Sequence, residues 1–201
     1  MSEPRQRLRI SGDAAADDLI SRDPFSLVCA MLLDQQIPME KAFIGPQVLV
    51  SRLGGDHLDP ARVAQADPGE FAAVMAGPPA VHRYHTSMAG RVQALAQHIV
   101  EHYGADTASL WSQAADGAEL KRRLVGLPGF GEQKAKIFIA LLGKQVGVEL
   151  TGWREAAGDY GLDGYRSVAD VVDDVSLTKV REYKKAVKAG TSVGRPLSPA
   201  S

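Results

Sequence analysis

Three glycines, Gly126, Gly129 and Gly131, with Pro128 among them, interrupt a stretch from Leu124 to Leu142 that otherwise reads as two helices. The chain must turn sharply there. A helix, a tight Gly-Phe-Gly turn and a second helix leave several N–H groups pointing outward at the start of the second helix, and such a site suits a phosphate. Because amides that touch phosphates carry no base information, the turn would hold nucleic acid by its backbone alone. A second chemistry-bearing segment is Asp34-Gln35-Gln36-Ile37-Pro38, where two adjacent amides stand between an apolar helix and a proline. Glutamine donates and accepts hydrogen bonds at once, which suits a loop filling the gap left by an unpaired base.

Other motifs fail on their own terms. Gly126 and Gly131 have the spacing of a P-loop, but Glu132 and Gln133 occupy the places where Lys and Ser or Thr are required. A dinucleotide fingerprint needs a strand before the glycines, and Glu119-Leu-Lys-Arg-Arg-Leu is not one. His98 and His102 share one helix face, yet no third ligand is evident.

The elements that must position these residues read as helices throughout. Asp13-Ala-Ala-Ala-Asp-Asp-Leu-Ile reads as a short helix with carboxylates in its first turn, and residues 1 to 12 read as a loose lead-in. Asp23-Pro24, Asp59-Pro60 and Asp67-Pro68 each pair an N-cap with a proline at the first helical position, and Glu70 would complete a capping box with Asp67. The helix from Pro24 to Leu33 is almost wholly apolar and therefore central. After Pro38 the pattern predicts one helix at Met39–Phe43 and a separate one from Pro46 to Leu53. Arg91 to Tyr103 has the clearest stripe, with Val92, Leu95, Ala96, Ile99, Val100 and Tyr103 on one face. Short helices at 106–114 and 116–125 lead into the turn. Beyond Gly143 closely spaced glycines predict sparse regular structure, in which Trp153 could face a cleft or plug the core. Ser176 would cap a last helix to Ala189 whose Lys and Arg residues form a basic face, before a disordered tail.

Composition bounds the function classes. The chain has 201 residues, 45% hydrophobic and 23% charged, with a net charge of −1. Any nucleic-acid contact must therefore come from local basic patches. A single cysteine, Cys29, excludes an internal disulfide framework and a four-cysteine zinc or iron–sulfur site. No apolar run spans a bilayer and no leader pattern opens the chain, so a cytoplasmic location is expected. The predicted class is all-α.

Leu127-Pro-Gly-Phe-Gly with its following helix resembles the helix-hairpin-helix of the base-excision DNA glycosylase superfamily that includes endonuclease III, the adenine glycosylases and the alkylbase glycosylases. Leu32-Leu-Asp-Gln-Gln-Ile-Pro-Met-Glu-Lys-Ala resembles that superfamily's glutamine-bearing probing loop, and the 91–104 helix resembles the one between them. The resemblance implies a two-lobed helical fold with damaged double-stranded DNA crossing the cleft. It implies a segment 1–24 packing with the C-terminal lobe, a core at 25–145 with the hairpin motif at 117–142, a C-terminal lobe at 146–189 and a tail at 190–201. It also implies DNA contacts from Gln35, Gln36, Gly129, Gly131, Gln133 and Lys134, with a possible cation at the hairpin carbonyls.

Two positions depart from the family pattern. The strand-cutting members' lysine position holds Gln133, which cannot form a Schiff base, and Lys134 is turned about 100° from it on an ideal helix. The family's catalytic aspartate position holds Thr151. A carboxylate is needed to stabilise the oxocarbenium character of the sugar, and Glu149, Asp34 and Glu155, in that order, are the candidates. The expected function is that of a monomeric, monofunctional DNA glycosylase without β-lyase activity, iron–sulfur cluster or other cofactor, and without a membrane partner. A DNA-binding module that lost its acid is the alternative, and a helical protein-interaction domain a third.

Overall fold

The computed structural model describes residues 7–190, which form eleven α-helices, a few shorter helical turns and no strand. The helices are α1 (Ala14–Arg22), α2 (Pro24–Leu33), α3 (Met39–Leu53), α4 (Pro60–Gln65), α5 (Pro68–Ala76), α6 (His85–Tyr103), α7 (Ser109–Ser112), α8 (Gly117–Val125), α9 (Glu132–Leu141), α10 (Trp153–Ala157) and α11 (Asp174–Lys188). The protein is all-α over this range. No helix among the described residues is long and apolar enough to cross a membrane.

The Asp-Pro starts fall at α2, α4 and α5, but their acids do different things. Asp59 accepts from the Ala61 amide at 2.8 Å and Asp67 from the Glu70 amide at 3.0 Å, which are ordinary caps. Glu70 does not reciprocate. The Asp23 carboxylate instead accepts from the Leu58 amide at 2.9 Å, tying α2 to the loop after α3. Residues Phe25 to Leu33 of α2 are all buried, as its apolar composition requires.

Several boundaries differ from expectation for physical reasons. Met39 to Leu53 is one helix, with Pro46 inside it. A proline there forfeits one backbone bond at a cost of about 3 kcal/mol, and burial of Phe43, Leu49 and Val50 offsets it. Helix α6 starts at His85, not Arg91, because Met88 and Ala89 extend the buried stripe by a turn. The expected 106–114 helix shrinks to the single turn of α7. Asp173, not Ser176, is the N-cap of α11; Ser176 is its partner in a reciprocal capping box. The lead-in is anchored as well: Leu8 and Ile10 are buried, and buried Asp17 accepts from the amides of Ile10 and Ser11 at 3.1 and 2.8 Å. Residues 1–6 and the tail at 191–201 lie outside the described residues.

Helix α1 packs on α2 and α3, while α4 and α5 pack on α6. Residues Ile20 to Arg22 at the end of α1 also border a depression shared with Val146 to Leu150. In the second half α8, α9 and α10 pack together, and α11 rests on a 3₁₀ turn at Val168–Asp170. Trp153 plugs this half: a Cβ on Gly143 would run into its indole, so α9's extension and α10 approach as closely as glycine allows. Edge-on aromatic contacts join Trp111 and Phe130 to Phe138 beneath the hairpin. A groove opens where the C-terminus of α2 faces the N-terminus of α9 and one side of α11.

Candidate nucleic-acid interface

The hairpin is built by its own short bonds. The Leu127 amide donates to Leu124 at 3.1 Å and the Phe130 amide to Leu127 at 3.0 Å, while Leu127 and Phe130 bury their side chains. Gly129 has φ +81°, and a Cβ there would overlap Leu32 Cδ1, so glycine is required twice over. Gly131 differs: it is the N-cap of α9 with extended backbone and open space around it. The amides of Gly129, Gly131, Glu132 and Gln133 find no partner among the described residues, and all four residues are exposed. They form the outward-facing donor set that suits an anionic strand. The Leu127 carbonyl accepts one amide and keeps a second lone pair, whereas the Leu124 carbonyl already accepts from Gly126 and Leu127, so only the former is open to a cation.

The loop after α2 separates its two glutamines. Gln35 is consumed internally: its Nε2 donates to the Leu32 carbonyl at 2.9 Å, its Oε1 accepts from Arg91 at 2.8 Å, and its carbonyl meets the ring of His82 at 3.0 Å. Gln36 is exposed and held at φ +57°, a left-handed conformation uncommon for a residue with a Cβ. Sequence reading treats the two amides as equivalent. The structure makes Gln35 a brace and leaves Gln36 free to reach outward.

Gln133 and Lys134 both line the groove, together with Asp34, Gln35, Gln36, Tyr160, Arg166, Tyr183, Lys184 and Lys188 around a volume of about 470 Å³. The expected divergence of Gln133 and Lys134 does not separate them, because the groove wraps the first turn of α9. Gln133 Nε2 donates to the Tyr160 hydroxyl at 2.9 Å on one side. On the other, Lys134 Nζ donates to the carbonyls of Met31, Leu32 and Asp34, capping the C-terminus of α2. Burial pushes the Lys134 amine down to about 8; the Asp34 carboxylate pulls the other way, and Lys184 and Arg91 add to the lowering.

Four cations, Lys134, Arg166, Lys184 and Lys188, thus line a groove with a single carboxylate, Asp34. Arg166 is positioned by Asp170, whose carboxylate accepts its backbone amide at 2.8 Å and is itself paired to Lys144 at 2.6 Å. The Arg166 Nε is buried without a partner among the described residues, a donor aimed at no protein group. The basic face of α11 is divided: Arg181 pairs with Glu40 of α3 and Lys179 lies over the Tyr165 ring at 4.5 Å, while Lys184 and Lys188 face the groove.

The three candidate acids are dispersed. Asp34 lines the groove beside the probing loop. Glu149 does not: a π turn at Leu142–Val146 and Gly147 at φ +81° carry the chain the other way, and Glu149 borders the depression against Ile20, Ser21 and Arg22. Glu155 and Thr151 lie on the far side of the hairpin, in an open depression of about 860 Å³ with Asp116, Lys121, Arg122 and Glu132. That cavity is the larger, but its charges are mixed and partly spent, as in the Lys121–Glu132 pair at 2.8 Å. Arg91, Tyr160, Arg166 and Tyr183 escape sequence reading as site residues, since only folding brings α6, α9, α11 and the glycine-rich segment together. No group of three or more His, Cys, Asp or Glu side chains among the described residues could hold a metal ion. No family model, curated protein or solved structure matches this chain.

Proposed function

We propose that this chain is a DNA glycosylase of the monofunctional kind, hydrolysing the N-glycosidic bond of a damaged or deaminated base held in the groove. The observation that supports it best is one juxtaposition. Gln133, the last of the unpartnered amides that begin at Gly129, lines the same basic groove as the exposed Gln36 and the lone carboxylate Asp34. The amides and Lys184, Lys188 and Arg166 would take phosphates without reading sequence. Gln36 would enter the space left by the everted nucleotide, which the groove's volume suits. Asp34, not Glu149, would then face the sugar and stabilise positive charge as the glycosidic bond lengthens.

Purified protein incubated with duplexes carrying uracil, hypoxanthine, oxidised or alkylated bases, then treated with alkali, tests this reading. Excision of at least one base is expected, with Asp34→Asn lowering the rate by roughly 10²–10³ and leaving duplex affinity intact. Salt-dependent binding with no alkali-labile product from any substrate would support the non-catalytic module instead. Lys134 supports a second chemistry, because an amine at about 8 in the groove is a nucleophile once it leaves the carbonyls it caps. Strand cleavage without alkali, with a borohydride-trapped adduct lost in Lys134→Met, would select that reading.

A further inference from the structure

We infer that His82 is the positioning residue of the probing loop, the group that holds Gln36 in its outward conformation, and this inference rests on the repair reading for its use. His82 lies in the break between α5 and α6, is fully buried, and reaches across 47 positions of sequence to the Gln35 carbonyl. Its Nδ1 accepts from the Tyr84 amide at 3.0 Å. A backbone N–H can only donate and a carbonyl can only accept, so these two contacts require the neutral ring with its proton on Nε2. The ring is therefore a rigid spacer between the Tyr84 amide and the residue immediately before the strained Gln36.

Protonation breaks this arrangement. A second ring proton would point Nδ1–H at the Tyr84 N–H, donor against donor, and the charged groups around the ring are cationic: Lys41 on α3, Arg83 beside it and Arg91 on α6. Burial, with those cations, holds the imidazole below its ordinary range against the Gln35 bond, which favours the charged ring. Arg91, one of these cations, also donates to Gln35 Oε1 and so completes the brace. Once the ring is protonated its Nε2–H can still donate to Gln35, but the bond from Tyr84 is replaced by repulsion, so the ring must move from behind Gln35 and Gln36 no longer has its left-handed backbone held in place.

The test compares the wild type, His82→Gln and Gln36→Ala between pH 5.5 and 8. A glutamine amide places an acceptor and a donor one carbon apart, as the neutral imidazole does, but does not titrate. Two readouts are taken: amide NMR shifts of Gln35 and Gln36 in the free protein, and the ratio of affinities for an abasic-site duplex and an intact duplex. Shifts of Gln35 and Gln36 should follow the His82 titration in the wild type and be flat in His82→Gln. The affinity ratio should fall roughly three- to tenfold on acidification in the wild type, about one buried hydrogen bond's worth. It should stay level in His82→Gln and be low at every pH in Gln36→Ala. Loop resonances that ignore His82, or a His82→Gln profile matching the wild type, overturn the inference. If no duplex is bound at all, the repair reading fails separately and the NMR readout alone decides the loop's dependence on His82.

Discussion

Gln36 holds its left-handed backbone at a cost that glycine would not incur, on the order of 1–2 kcal/mol. Because its side chain is exposed, Gln36→Gly should raise stability by up to about 1 kcal/mol in urea melts. The same change should reduce discrimination between abasic and intact duplexes; loss of stability would mean the loop is not strained. Lys134 makes a second residue-scale prediction. Its amine titrates at about 8 in the folded chain against about 10.4 unfolded, so the native state binds fewer protons between those values. Stability should therefore rise with pH across that window. Duplex affinity should do the opposite, falling as pH passes about 8 and the groove loses a charge, while Lys134→Met should show neither dependence. Anisotropy titrations at pH 7 and 9 and thermal melts up to pH 10.5 measure both.

At the scale of elements, the hairpin and α9 separate structure from binding within two residues. Gly129→Val would force a β-branched residue to φ +81° and into Leu32, one of the fully buried side chains of α2. It should destabilise the fold by several kcal/mol, read as a lower denaturation midpoint. Gly131→Val meets open space at an extended backbone and should fold normally, but its branched side chain would screen the amides that follow. Duplex affinity should fall for every sequence alike. Equal loss of stability in both variants would contradict this division. The glycines look interchangeable as letters, since a dihedral angle and a neighbour 97 positions away distinguish them.

Across the whole molecule a net charge of −1 conceals a strongly basic groove. Binding driven from that groove should weaken linearly in log affinity against log salt, with a slope near −0.9 for each phosphate neutralised. Replacing Lys184 and Lys188 by Glu should flatten the slope by about two and weaken intact and damaged duplexes equally; an unchanged slope would remove α11 from the interface. Fluorescence anisotropy at several salt concentrations is sufficient. Arg181 should not behave this way, because its charge is spent on Glu40 of α3.

Helix content, the apolar identity of α2, the Asp-Pro starts and the Leu-Pro-Gly-Phe-Gly turn were legible in the linear chain, because each follows from contacts within about four residues. Capping chemistry and 3.6-residue periodicity act over that range. Continuity through Pro46 was not, since burial against α1, α2 and α5 outweighs a local penalty. The division of labour between Gln35 and Gln36, the place of Asp34 and not Glu149 in the groove, and the spacer role of His82 depend on residues tens of positions apart. Such meetings are settled by how whole helices pack, and side-chain order along a chain does not encode which ends will face each other.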